Sequence, residues 1–105
     1  MNDNYSVVIT TTNSTEISEK IAKVLLKEKL AACIQISNIK SYYTWKGEIA
    51  IDDEQILLIK CKSCDYKEIE NYIKANHTYE VPEIILLPIN NGLPAYLNWI
   101  NEVTK

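Results

Sequence analysis

The chain has 105 residues, 47% of them apolar and 24% charged, with a net charge of -3 at neutral pH. That is the length of one domain, able to bury a core without disulfide or metal staples. It excludes a nucleic-acid binder, since no dense Lys/Arg patch is present, and a membrane-spanning helix, since the longest apolar runs are Ile56 to Ile59 and Ile84 to Leu87.

Met1 to Asn4 is polar and is expected to fray. No basic region followed by an apolar one is seen there, so no signal peptide is expected. The three cysteines are an odd number, which argues against a secreted disulfide framework. A cytoplasmic location is the expectation that follows.

The stretch Tyr5 to Thr12 is rich in β-branched residues and reads as the first strand. Its run Val7 to Ile9 lacks alternation, which suggests burial on both faces. Asn13 and Ser14 are N-cap candidates. Ile17, Ile21, Val24 and Leu25 follow at helical spacing, opposite Glu19, Lys20, Lys23 and Lys27. The pattern predicts an amphipathic helix over roughly Thr15 to Lys29.

The stretch Ala31 to Cys61 organises the chain. It reads as one β-hairpin turning at Lys46-Gly47, where glycine supplies a positive φ. Each arm is about fifteen residues, well beyond the usual strand. In the return arm Ile49 and Ile51 are followed by an apolar run restarting at Ile56, so a bulge or bend is expected at Asp52-Asp53-Glu54. The run Ile56 to Ile59 has the continuous apolar character of a strand covered on both faces. Two helices in a small domain cover one face, so another copy of the chain is expected to cover the second.

Ser63 or Asp65 can cap a second helix over roughly Asp65 to Asn76, with Tyr66, Ile69 and Ile73 inward. A loop from His77 leads into a last main strand bracketed by Pro82 and Pro88, positions that suit strand ends. Asn90-Asn91-Gly92 is a turn, and Pro94 suits the start of a short terminal helix carrying Tyr96, Leu97, Trp99, Ile100 and Val103. The order β-α-β-β-α-β-α predicts an α+β domain. Its first six elements are those of the ferredoxin-like fold.

Local chemistry is sparse. Cys61-Lys-Ser-Cys64 has dithiol spacing at a strand-to-helix junction, where a helix N-terminus can lower a thiol pKa. The surrounding element order is not thioredoxin-like, and no second C-x-x-C completes a zinc site. Cys33 opens an apolar strand and reads as a core residue. His77 is the single histidine, with Tyr79, Glu80 and Glu83 beside it. One imidazole with carboxylates can bind a transition metal, and the alternative is a capping or loop histidine. Lys60 ends an apolar strand and can meet an anion, or simply face solvent. Tyr42, Tyr43 and Trp45 suit a ligand stack or an interface. With Gly47 and Gly92 the only glycines, there is no phosphate loop.

Taken together, Thr10-Thr-Thr12, Leu30-Ala-Ala-Cys-Ile-Gln-Ile36, Ser41-Tyr-Tyr-Thr-Trp-Lys-Gly-Glu48, Glu54-Gln-Ile-Leu-Leu-Ile-Lys60, His77-Thr-Tyr-Glu-Val-Pro-Glu-Ile-Ile85 and Gly92-Leu-Pro-Ala-Tyr-Leu-Asn-Trp99 resemble the CutA family of divalent-cation tolerance proteins. The likeness runs from about Val7 to Val103. It implies a homotrimer of ferredoxin-like subunits, similar to the PII signalling trimers, with the long hairpins packed between subunits. It also implies a non-enzymatic role in the response to metals, with copper or another divalent ion weakly bound, and an unidentified protein partner. His77 and Glu80 are the metal candidates. Cys33, Trp45, Lys60, Tyr79, Glu83 and Trp99 are candidates for lining the cleft between subunits. The chain departs from the family at Thr78, usually proline. It also departs at Thr10 and Asn76, where some bacterial members carry a cysteine and a second histidine proposed for copper. The rival reading is a signalling or scaffold trimer that binds a small anion or a protein at those clefts.

Overall fold

A computed structural model gives the fold of residues 4–105. The expected fraying of Met1, Asn2 and Asp3 lies outside the described residues. The elements are β1 (Tyr5–Thr12), α1 (Thr15–Lys27), β2 (Ala31–Trp45), β3 (Glu48–Lys62), α2 (Tyr66–Asn76), β4 (Ile84–Pro88) and α3 (Pro94–Val103). A single 3-10 turn, Ser63–Asp65, leads into α2. The strands form one antiparallel sheet in the order β2-β3-β1-β4. This is the ferredoxin-like α+β arrangement with a long hairpin and an added terminal helix.

One hydrophobic layer holds α1 and α2 to the sheet. Ile21 and Leu25 of α1 and Ile69 and Ile73 of α2 meet Val8 of β1 and Leu57, Ile59 and Cys61 of β3, all fully buried. Burying one such aliphatic side chain contributes about 1.5–3 kcal/mol. Ser14 caps α1, its Oγ accepting from the Ile17 amide at 3.2 Å. The helix ends at Lys27, two residues short of the sequence expectation. Leu30 N–H reaches back to the Leu25 carbonyl and Lys29 N–H to that of Leu26, the paired bonds of a Schellman ending. Lys29 therefore sits at φ 58°, outside the helical region. Neither proposed cap of α2 bonds a helix amide through its side chain; Ser63 Oγ instead meets Ser6 Oγ.

The hairpin arms are fifteen residues each, as their composition suggested. Lys46 and Gly47 both have positive φ, 51° and 78°, and Trp45 pairs directly with Glu48. This is the two-residue turn with positive φ at both central positions, type I′, whose twist matches that of the strands. The register then runs unbroken back to Cys33–Lys60. The bulge expected at Asp52-Asp53-Glu54 is absent, and the only irregularity between β2 and β3 lies between Ala31 and Cys33. The reason is plain in the pairing. Ile49, Ile51, Leu57 and Ile59 keep one parity and one face, while Ile56 and Leu58 belong to a second apolar face. Two apolar faces on one straight strand imitate a break in alternation.

That second face is turned away from α1 and α2. It carries Val7 and Ile9 of β1, Ile56 and Leu58 of β3, and Ile85 and Leu87 of β4. Ile85 and Leu87 are about half exposed, at 45% and 49%. The helix α3 packs against β2 and β3. Its Asn101 shares a surface depression with Tyr5 and Lys62, which places α3 over one end of this face. The outer half of the hairpin, with Tyr42, Trp45, Ile49 and Ile51, is exposed, whereas its base lies in the core. The molecule is 44 Å long, and its radius of gyration is 14.4 Å, above the roughly 13 Å of a compact domain of this size.

Candidate functional site

The loop after α2 carries the most connected group of polar side chains. His77 ends α2 with an extended backbone. Its ring bridges two partners. Nε2 lies 2.7 Å from the Thr11 carbonyl at the end of β1, and the Tyr79 amide donates to Nδ1 at 3.1 Å. An amide N–H can only donate and a carbonyl can only accept. The imidazole is therefore neutral and carries its proton on Nε2. The rings of His77 and Tyr79 are in contact, 4.6 Å between centroids and tilted by 52°. The Tyr79 hydroxyl donates to Glu54 Oε2 on β3 at 2.6 Å. Burial, and then the Glu54 carboxylate, push this phenol well above its ordinary range and keep it a donor.

Glu80 and Glu83, in the same loop, are exposed. Among the described residues no three His, Cys, Asp or Glu side chains converge as a metal-holding group. The described donor set of a single copy does not form a preformed metal centre. Its imidazole has no free nitrogen, and the nearby carboxylates either bind Tyr79 or face water.

A second group lies on the sheet face turned away from α1 and α2, at the end that α3 covers. Cys33 and Lys60 are direct cross-strand partners. The Lys60 ammonium donates to Gln35 Oε1. Burial, and then the nearby Cys33, push the phenol of Tyr96 on α3 up. Tyr96 packs against Trp99 with centroids 5.6 Å apart and the rings tilted by 39°. Cys33 is half-buried here, not the core residue that its apolar neighbours suggested.

Trp45 stands apart from both groups. It sits at the hairpin tip, 61% exposed, with the Lys46 ammonium 5.6 Å from its ring centroid. The run of β2 from Cys33 to Trp45 covers about 40 Å of strand. Within one chain the cleft candidates thus divide among the loop, the α3 end of the sheet and the hairpin tip. Two surface depressions of about 430 and 320 Å³ are lined by none of them.

The Cys61-x-x-Cys64 pair is divided by its environment. Cys61 is buried, its thiol facing the Ser6 carbonyl at 3.6 Å, and burial pushes it up to about 12. Cys64 is exposed, and both are free thiols. The strand-to-helix junction is present, but it does not lower the thiol at Cys61. Sequence reading missed Thr11 and Glu54 as partners of the loop, and the Tyr43 hydroxyl donating to Asp52 Oδ2. No local signal marks them, because the Thr11 and Glu54 contacts join residues 66 and 25 positions apart.

Comparison with known proteins places these features in a family. Residues 6–103 match the family described as CutA1 divalent ion tolerance protein. The divalent-cation tolerance protein CutA of Thermus thermophilus is 42% identical, over 93% of this chain and 96% of the relative. The chloroplastic protein CutA of Arabidopsis thaliana is 39% identical over 94% of this chain, which spans only 55% of that relative's length. The solved structure of a periplasmic divalent cation tolerance protein CutA from Archaeoglobus fulgidus superposes with a TM-score of 0.93 at 39% identity. That match covers 96% of this chain and 99% of the other. Relatives thus carry chloroplastic and periplasmic names, and no described helix here is long and apolar enough to cross a membrane.

Proposed function

The chain belongs to the CutA1 divalent ion tolerance family, and on that premise we propose that it acts without catalysis, as a homotrimer, in the response to divalent metal ions. The observation that carries the assembly is the hairpin. Tyr42, Trp45, Ile49 and Ile51 are 67%, 61%, 79% and 54% exposed along its outer half. A soluble monomer rarely leaves so many large apolar side chains together in water. The uncovered face of β1, β3 and β4 adds to this surface, and β2 and β4 are both free edges. A closed ring of identical subunits buries hairpins and edges alike. It also brings Trp45 of one chain toward Lys60, Tyr79 or Trp99 of another.

The finer reading is weak binding of copper or another divalent ion, with His77 and Glu80 as donors and micromolar affinity or poorer. Its support is the family and the placing of an imidazole and a carboxylate on one loop. The engaged ring nitrogens argue for weakness. Calorimetry with copper(II) and zinc(II) on the wild type and His77→Ala tests it. Equal binding by both proteins removes His77 from the reading.

The rival is a signalling or scaffold trimer whose clefts take a small anion or a protein partner. The Lys60 ammonium, on the sheet face turned away from α1 and α2, supports it. A thermal-shift series separates the two, because a ligand of the native state raises the melting temperature by mass action. Shifts with metals alone favour the first reading, and shifts with anions alone favour the second.

A further inference from the structure

We infer that His77 is a latch, and that the segment 77–83 is a strap which this imidazole holds down across the sheet. The strap joins three elements. It leaves the end of α2, passes the end of β1 through His77 Nε2–H and the Thr11 carbonyl, and reaches β3 through the Tyr79 hydroxyl and Glu54. Between these anchors the Tyr79 amide donates to His77 Nδ1, so the ring holds the strap internally while it holds the strap to the sheet. The Thr11 side is 94% buried, since Thr11 is only 6% exposed. The outer side is open, with Val81 at 85% exposure and Glu80 and Glu83 in solvent. Beyond the Tyr79 hydroxyl bond, no regular ladder ties residues 78–83 to the sheet, and β4 pairing begins only at Ile84 with Thr10. The strap therefore ends where the edge strand β4 begins.

This use of His77 competes with metal ligation. A metal ion takes a ring nitrogen through its lone pair. Ligation at Nδ1 displaces the Tyr79 amide, and ligation at Nε2 displaces the Thr11 carbonyl. The inference goes beyond the metal reading and does not depend on it.

The test is hydrogen exchange and ring-nitrogen NMR on the full chain. The wild type is expected to show one tautomer, with a slowly exchanging Nε2 proton. His77→Phe keeps a ring against Tyr79 but has no nitrogens, and His77→Ala removes both. In both variants the Tyr79 amide is expected to exchange at least about tenfold faster, while the Val8 and Ile59 amides keep their protection. A Tyr79 amide equally protected in His77→Phe overturns the latch, because ring packing alone then holds the strap. Two tautomers in rapid exchange in the wild type overturn it as well. In a separate arm zinc(II) is added alone. Zinc that shifts the ring nitrogens while Tyr79 stays protected overturns the competition. Loss of Tyr79 protection together with the ring shift, or no change in either, agrees with it.

Discussion

The thiol of Cys61 gives a sharp test of how the fold treats its C-x-x-C pair. Its ordinary value of 9.0 is pushed up to about 12 by burial, with small additions from Asp65 and Cys64. Three units are about a thousandfold in thiolate fraction, and the thiolate is the reacting form. At about pH 8 an ordinary thiol is near one-tenth ionised, whereas Cys61 is ionised in about one molecule in ten thousand. Alkylation with iodoacetamide, read by peptide mass spectrometry, compares the native protein with the chain in urea. Cys61 is expected to react about a thousandfold more slowly when folded, while the exposed Cys64 reacts readily. A folded rate within about tenfold of the unfolded rate would refute the reasoning and reopen dithiol chemistry. The linkage has a fixed sign. The folded value lies above the unfolded one, so this contribution is complete below pH 9.0 and is lost between 9.0 and about 12.

Three further outcomes follow from the same geometry. Lys46→Asn places a residue that tolerates positive φ at the first turn position and is expected to add about 0.5–1 kcal/mol in urea unfolding; a loss contradicts the turn assignment. Ile59→Ala opens a void in the fully buried layer between sheet and helices and is expected to cost about 2–5 kcal/mol, so a cost below about 1 kcal/mol contradicts the packing. Tyr79→Phe removes a phenol whose folded value is raised above its ordinary 10.0. The wild-type contribution is therefore full below pH 10.0 and falls as pH rises above it. Urea melts on both sides of that value should show the variant losing less stability in alkali, and identical losses would count against the Glu54 contact.

Most of the fold is legible in the sequence because it is written in short-range patterns. The β-branched run of β1, the helical spacing of Ile17, Ile21, Val24 and Leu25, and the two long arms around Lys46-Gly47 all appear as expected. The misreading at Asp52-Asp53-Glu54 has a physical cause, since period-two logic assumes one apolar face and β3 has two. The end of α1 was set by Lys29 entering the left-handed region, a choice made by the Leu25 and Leu26 carbonyls rather than by residue type. The site was less legible. His77 and Tyr79 stand out as residue types, but their partners Thr11 and Glu54 are fixed by sheet order. The cleft candidates lie apart on a single chain, at the loop, the α3 end of the sheet and the hairpin tip, so one copy brings no common site together.

The central claim is that this hairpin belongs between subunits. Light scattering with size exclusion, run over a wide range of dilution, tests it most directly. The account predicts one species of roughly 36 kDa, three times the 12.1 kDa chain, that persists on dilution. A stable species at 12.1 kDa, with Trp45 and Ile49 left in water, would contradict it.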